Sequence, residues 1–462
     1  MTAAVWLASF LAFPAAGAPL LLHRGFSRYG ASARFVLAGA AGVVAISWTM
    51  TAAALIGWKW NVPLLVLAGA AECFALRAAL RGAAVAAPAP ALVGASKRMT
   101  ATEWIAAGVS AASVLVSAAS ALSASATSPD LLLFWGSKAE AFAAARTIDE
   151  TFLGEPFLRF LHTSYPPLVT NAYAFAVMVA GRLSWMAAVA TFPLLLGALA
   201  VALPSILRTS VPRRFALVAT AFITASFALA GDALDMAGNA DMALLFFEVL
   251  AAALLLGRGE GDAPAQLMAG LLLAGAAAAK VEGLPFVIAA GGLLLLAPRR
   301  LPQRLLPTAA RTLLPTVLAL GVWFAYGRRY FLFRGYETYG PTFDVHLPRL
   351  GLVLGEILRS FWHTGAALPW LVPLVALAAT VRRDTIRLAA YPLGIAGALS
   401  LFFVFTYLHG SLDPTLWIAW SAGRIFLVVG ALLVLAVTAE QARLGRSGDS
   451  ATGEVRPRAT PG

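Results

Sequence analysis

Apolar runs of about 20 residues recur along almost the whole chain, and this feature constrains the fold more than any other. A run of that length crosses the hydrocarbon core of a bilayer as a helix, which rises about 1.5 Å per residue. The chain has 462 residues, of which 60% are hydrophobic and only 12% are charged, whereas soluble domains have about 25% charged residues. The sequence therefore predicts an all-α, polytopic transmembrane helical bundle.

The hydropathy pattern predicts about thirteen spans. The first has no basic start, so we expect it to be a span and not a cleavable signal peptide. The one cysteine, Cys73, excludes a disulfide scaffold and a zinc site built on cysteines. The predicted spans are residues 1–22, 34–57, 62–80, 103–123, 187–207, 215–230, 240–257, 266–281, 284–298, 308–326, 366–381, 387–407 and 417–438.

Basic residues predict the orientation of the spans, because Lys and Arg favour the cytoplasmic side. With the N-terminus outside, most of the 34 basic residues fall inside. This requires the apolar stretch 166–186 to lie along the outer face as a juxtamembrane or re-entrant helix. The net charge of +12 then reflects membrane orientation and does not point to nucleic acid.

The same pattern divides the chain into four parts. Residues 1–98 hold three transmembrane helices and a small-residue linker, and residues 99–300 form a core. Residues 301–440 hold the C-terminal helices with an outer loop at 327–365. Residues 441–462 are polar and rich in Gly, Pro and Ser, so we expect a disordered cytoplasmic tail.

The core begins with a large outer loop, about 124–186, which opens with the motif SPDLLLFWGSKAEAF. Asp130 and Lys138 are eight residues apart, on one face of an α-helix. Either Asp130 complements the helix dipole while Lys138 reaches the lipid headgroups, or both belong to a functional site. Tyr165, in the motif HTSYPPLVTNAY, adds an amphipathic anchor before a rigid turn.

Three further motifs carry charge at the predicted outer face. The loop GDALDMAGNADM contains Asp241 at the start of an apolar helix; it is either a solvated hairpin or a site for a cation or a polar acceptor. Lys280 and Glu282 interrupt an apolar stretch and either pair with each other or face a phosphate. Arg424 lies inside the last span and needs an acidic partner or an anionic ligand, since a lone charge there is costly.

Other common sites find no support in the sequence. The histidines are scattered without paired metal-ligand spacing. We find no phosphate-binding loop and no nucleophile elbow. The acidic residues leave a divalent metal ion open as an alternative ligand of the site.

Taken in order, five features resemble the GT-C superfamily of integral-membrane glycosyltransferases, which includes protein mannosyltransferases, lipid A aminoarabinose transferases and bacterial polysaccharide transferases. The resemblance covers about residues 103–300, and Arg424 adds a weaker C-terminal match. The chain departs from the usual layout by placing three spans before the first outer loop and by lacking an adjacent Asp-Asp pair there. The features are Asp130 with FWGSKA, YPPL at 165–168, Gly181–Arg182, GNADM at 238–242 and KVEG at 280–283.

The resemblance implies a GT-C-like fold with juxtamembrane helices in the first outer loop. It implies Asp130 as the catalytic base and Asp241 as a second acid, with Tyr165 and Glu282 in support of the acceptor. The residues implied to hold the donor phosphate are Lys138, Arg182, Lys280 and Arg424.

The expected function is transfer of a sugar from a polyprenyl-phosphate donor to an acceptor hydroxyl in the cell envelope, whether lipid, polysaccharide or protein. The expected location is the plasma (inner) membrane, with the active site on the extracytoplasmic face. A carboxylate can take the proton of the acceptor hydroxyl, and Lys or Arg can stabilise the leaving phosphate. The alternatives are a multi-pass transporter or a flippase for lipid-linked sugars, and a non-catalytic membrane scaffold.

Overall fold

The structure of the protein is a computed structural model. It describes residues 2–82, 98–123, 128–155, 163–229, 236–256, 262–296, 302–330, 345–363, 367–380, 386–409 and 413–451. In these ranges the secondary structure is helical apart from one isolated β-bridge between Val345 and His409. The prediction of an all-α chain is confirmed. The predicted small-residue linker covers 82–96, and all of it after Gly82 lies outside the described residues. The other two acids of the GDALDMAGNADM loop, Asp232 and Asp235, also lie outside them.

We number the described α-helices in chain order. They are α1 (Thr2–Ser9), α2 (Ala12–Leu21), α3 (Ala31–Leu55), α4 (Val62–Ala79), α5 (Ala101–Ser123), α6 (Ser137–Ala145), α7 (Glu150–Gly154), α8 (Leu168–Ala180), α9 (Trp185–Leu207), α10 (Arg213–Leu229), α11 (Asp241–Leu255), α12 (Ala263–Ala279), α13 (Gly283–Leu296), α14 (Pro302–Arg329), α15 (Leu350–His363), α16 (Ala367–Thr380), α17 (Ile386–Leu408), α18 (Pro414–Ile425) and α19 (Leu427–Ala451). A π-helical turn, Leu131–Gly136, precedes α6.

Eight helical segments of the described chain are long and apolar enough to cross a membrane, as expected for a multi-pass membrane protein. Two others are shorter than the sequence predicts: α11 and α16 have 15 and 14 residues. The eight segments are Thr2–Leu21, Ala31–Leu55, Val62–Ala79, Ala101–Ser123, Trp185–Leu207, Leu306–Arg329, Ala389–Leu408 and Pro414–Gln441.

An antiparallel hairpin of α11 and α12 runs through the buried centre of the molecule. At one end Lys280 Nζ lies 2.8 Å from Asp241 Oδ1. At the other end Arg28 Nη2 lies 2.6 Å from Asp262 Oδ2, and this ion pair raises the pKa of Arg28 against the opposing effect of burial. The two helices are about 22 and 26 Å long. Arg28 and Lys280 thus lie at opposite ends of the hairpin.

The described parts of the segment between α5 and α9 are folded against the bundle. Besides the π-helical turn they contain α6, α7 and α8, and α8 is only thirteen residues long. That is about 20 Å of helix, less than the roughly 30 Å hydrocarbon core. Asn171 of α8 is fully buried and donates to Ser47 and Thr51 of α3. Hydrogen bonds to α3 therefore hold α8 against the bundle.

The last described helix extends further than the sequence predicts. Helix α19 continues to Ala451, so residues 441–451 are helical and not disordered. Extending an existing helix costs little, because each added residue gains a hydrogen bond without a new nucleus. The rest of the predicted tail, residues 452–462, lies outside the described residues.

Helices α2 and α3 approach each other through glycine. A Cβ atom on Gly42 would overlap the carbonyl group of Phe13, and one on Gly17 would overlap the carbonyl group of Ala38. Such backbone contact needs small residues at the crossing point, as is common between membrane helices. Gly39 differs, since a Cβ there would meet its nearest atom, Pro14 Cδ, at 3.8 Å.

We therefore predict that Gly42→Ala destabilises the protein by about 1–3 kcal/mol, the usual cost of overpacking. The measurement is thermal unfolding in detergent. Gly39→Ala is the matched control and should change the midpoint little. Equal midpoints for the two variants would contradict the packing described for α2 and α3.

Candidate functional site

Arg424 joins two acids that are far apart in the sequence. Its Nη1 atom lies 3.1 Å from Asp130 Oδ2 and 3.2 Å from Asp241 Oδ2. The three residues come from α18, from the start of the π-helical turn and from the start of α11. One guanidinium group thus holds together three separate elements of the fold.

Lys280 extends this group on the other side of Asp241. Its Nζ atom lies 2.8 Å from Asp241 Oδ1 and 3.1 Å from Glu282 Oε1. Asp241 therefore accepts from both cations, one on each carboxylate oxygen. We call Asp130, Asp241, Lys280, Glu282 and Arg424 the ionic cluster.

Local backbone structure places Asp241 in the ionic cluster. Gly238, just before α11, has φ of +80°, a conformation that other residues rarely adopt. A Cβ on Gly238 would also lie 2.5 Å from Leu131 Cδ2 of the π-helical turn. The Tyr173 hydroxyl donates to the Gly238 carbonyl. The turn is thus held against the segment that carries Asp130, and Asp241 then sits at the positive end of α11.

A tight turn between α12 and α13 presents Lys280 and Glu282 together. Helix α12 ends at Ala279, and Lys280 is extended, with φ of −157° and ψ of 151°. The Gly283 amide donates to the Lys280 carbonyl. A Cβ on Gly283 would overlap the backbone of Ala276, so only glycine fits this approach. The tight turn therefore brings the side chains of Lys280 and Glu282 into contact with each other.

Burial divides the acids of the ionic cluster into two kinds. The side chain of Asp241 is 5% exposed, while those of Asp130 and Glu282 are 28% and 23% exposed. Asp241 is thus a buried anchor for both cations. Asp130 and Glu282 are the carboxylates that a ligand can approach.

Several functional candidates near the ionic cluster were not named from the sequence. Asn239 Oδ1 accepts from the Asp241 amide, and Tyr407 pairs with Ser421, one turn before Arg424. Glu248 lies two turns along α11 from Asp241 and is 2% exposed. Glu248 had a signal in the sequence, since it is the one acid inside the apolar run 240–257 after Asp241.

Lys138 and Tyr165 lie in a separate aromatic pocket. The Lys138 ammonium is 4.7 Å from the centre of the Trp135 ring, and Tyr165 packs on the same tryptophan at 6.0 Å. The described residues give Lys138 no carboxylate partner. The π-helical turn before α6 shifts the helical phase between Asp130 and Lys138, so the α-helical spacing expected from the sequence does not apply.

Arg182 also lies apart from the ionic cluster. It follows Gly181, which ends α8 in a left-handed conformation with φ of +82°. Its Nη2 atom donates to Thr2 at the N-terminus, in an exposed position. In this structure Arg182 contributes to chain packing and not to the charged group.

The described part of the chain has no group of three or more His, Cys, Asp or Glu side chains arranged to hold a metal ion. In the ionic cluster each acid is paired with a Lys or Arg. The carboxylates of the ionic cluster can accept a proton or a hydrogen bond from a hydroxyl, and its cations can pair with an anionic group.

Comparison with known protein families, with curated proteins and with solved structures finds no match for this chain. The fold and the ionic cluster together define the class: a multi-pass helical membrane protein with a partly exposed charged site at one end of its bundle.

The buried ammonium of Lys138 should make the stability of the protein depend on pH. Burial lowers the pKa of this ammonium to about 7, whereas an unfolded lysine titrates near about 10.4. Between these values the unfolded chain binds one more proton than the folded chain. The free energy of unfolding should therefore rise with pH from about 7 to 10, by up to about 1.4 kcal/mol per unit.

The measurement is chemical unfolding in detergent across that pH range. Lys138→Met should lose this part of the slope, because no group then titrates at the site. Lys59→Met, at an exposed lysine, should keep the wild-type slope. An unchanged slope in Lys138→Met would contradict the assignment.

Proposed function

We propose that the protein is a membrane glycosyltransferase. It moves a sugar from a polyprenyl-phosphate donor to an acceptor hydroxyl in the cell envelope. The observation that carries the proposal is the meeting of Asp130, Asp241 and Arg424, joined by Lys280, because it unites four of the residues that the GT-C resemblance implies.

Asp130 is the proposed general base. Its carboxylate is the more exposed of the two that Arg424 binds, so an acceptor hydroxyl can come within hydrogen-bond distance. As the hydroxyl oxygen attacks the anomeric carbon, Asp130 takes its proton and the bond from that carbon to the phosphate oxygen breaks. Buried Asp241 holds Lys280 and Arg424 in position.

Lys280 and Arg424 are the proposed partners of the donor phosphate. Breaking the sugar bond leaves a second negative charge on the phosphate, and fixed cations stabilise that charge. Arg424 is 20% exposed and Lys280 11%, so Arg424 is the more accessible of the two. Lys138 and Arg182 are less favoured for this role because the structure places them elsewhere.

An apolar cavity of about 340 Å³ supports a lipid-linked substrate. It is lined by residues of α1, α2, α3, α8, α9 and α11. Leu11, Phe35 and Leu194 on its wall are more than half exposed, so this side faces the surroundings of the bundle. Its lining also includes Asn239, which bonds to Asp241. A hydrocarbon chain in the cavity would end beside the ionic cluster.

The proposed arrangement in the cell is a plasma-membrane protein with the ionic cluster on the extracytoplasmic side. The positive-inside rule supports it, since Arg28 lies at the opposite end of the α11–α12 hairpin from Lys280. We also propose that the chain crosses the membrane about thirteen times and has a large first outer loop. The short helices would then span with local thinning of the bilayer.

Activity tests the proposal directly. Purified protein with a panel of radiolabelled polyprenyl-phosphate sugars and crude envelope acceptor should show sugar transfer. Asp130→Asn should lower turnover at least about 100-fold, the usual contribution of a general base. Arg424→Gln should weaken the binding of donor as well, because it removes a phosphate partner.

Asp413→Asn is the matched control, since Asp413 caps α18 and lies outside the ionic cluster; its transfer should stay near wild type. Equal transfer by wild type and Asp130→Asn would place the base elsewhere. Movement of the intact lipid-linked sugar across vesicles without transfer would favour the flippase alternative.

Cysteine labelling tests the orientation. In a Cys73→Ala background, Lys59→Cys should react with an impermeant reagent added outside intact cells, and Arg208→Cys should react only after permeabilisation. Both positions are exposed. The opposite pattern would contradict the extracytoplasmic site.

A further inference from the structure

Glu248 is a buried acid that the proposed reaction does not use. It lies on α11 seven residues after Asp241, so both side chains point from nearly the same face of the helix. Glu248 is 2% exposed, and its Oε2 atom is buried without a hydrogen-bond partner. The structure gives the carboxyl no ion pair among the described residues.

The charges that act on Glu248 are mostly negative. They come from the carboxylates of Glu282 and Asp241 and from the ammonium of Lys280. Lys280 is already within 3.1 Å of both of these acids. Glu282 also has a buried Oε2 atom without a partner. An ionised Glu248 would therefore add a carboxylate without an ion pair beside two carboxylates that already share Lys280.

Among the described side chains, the other helices packed on α11 offer Glu248 no compensating charge beyond Lys280. Within α9 no residue from Trp185 to Leu207 is titratable, and α12 contributes only Lys280 at its end. Helix α19 contributes Glu440, which lies at the middle of the helix and would itself add a negative charge. Leaving an ionised carboxylate unpaired in such surroundings is very costly, and the neutral acid costs far less.

We propose that Glu248 is a neutral carboxylic acid and acts as a positioning residue for the ionic cluster. Because Glu248 is uncharged, it does not compete with Asp241 and Glu282 for their ion pairs with Lys280. The ionic cluster then has three carboxylates against two cations instead of four against two. That balance repels an anionic group less than an ionised Glu248 would, so this inference rests on the proposed binding of a lipid phosphate.

Infrared spectroscopy tests the protonation state by itself. A protonated carboxyl group has a C=O stretch distinct from that of a carboxylate, and it shifts in heavy water. At neutral pH this band should lose one component in Glu248→Gln and lose none in Glu282→Gln. A band unchanged in Glu248→Gln would overturn the proposal.

Binding of farnesyl phosphate tests the positioning role. Glu248→Gln replaces a neutral acid by a neutral amide of the same shape, so its affinity should stay within about twofold of wild type. Glu282→Gln removes a real negative charge and should bind the probe at least about tenfold more tightly. Equal tightening in both variants would mean that Glu248 is ionised and would overturn the proposal.

The two readouts separate this inference from the proposed function. If neither wild type nor variants bind the probe while the infrared component is lost in Glu248→Gln, the neutral acid stands and phosphate binding is wrong. If Glu248→Gln fails to fold, the wild-type band is compared with that of Glu248→Asp, which should keep the component at a shifted frequency. An absent component in both would overturn the proposal.

Discussion

The contact of Arg424 with Asp130 and Asp241 is the interaction on which the arrangement of the site depends. It joins parts of the chain that are 294 and 183 residues apart. Removing charged groups from water is costly, and the cost is recovered only when the pairs are close and well placed. The ionic cluster therefore acts as a constraint on how the π-helical turn, α11 and α18 pack.

The same principle holds at the other end of the α11–α12 hairpin. There Arg28 pairs with Asp262, whose side chain is 1% exposed. The hairpin thus has a buried ion pair at each end, and the length between them is apolar apart from Glu248 and Gln266. Its helices are short for a membrane crossing, so we attribute the position of their ends to the two ion pairs and not to the thickness of a bilayer. This gives the ionic cluster a rigid support, since Asp241 and Lys280 belong to the two arms of one hairpin.

Much of the candidate site was predictable one residue at a time. Asp130, Asp241, Lys280, Glu282 and Arg424 each interrupt or border an apolar run, and that local signal marks a costly charge. Their meeting was suggested only by the order of motifs, and the structure brings all five together. The role of this group in glycosyl transfer stays a proposal.

Other residues of the same kind did not join the ionic cluster. Lys138 follows a π-helical turn, which changes the direction expected from α-helical spacing, and it packs on Trp135 instead. Arg182 follows a left-handed glycine and lies exposed near Thr2. Glu248, which was not named from the sequence, lies beside the ionic cluster. In each case the local backbone conformation or the packing of a neighbouring helix decided where the charged side chain lies.

The sequence by itself determined the class of the protein. Long apolar runs with few charges can satisfy their backbone hydrogen bonds in a membrane only as helices or closed barrels, and the length of these runs selects helices. Only the tertiary structure decided which cation meets which acid, how short the central helices are and where α19 ends. Hydropathy is a property of neighbouring residues, whereas an ion pair between α18 and α11 depends on how distant helices pack.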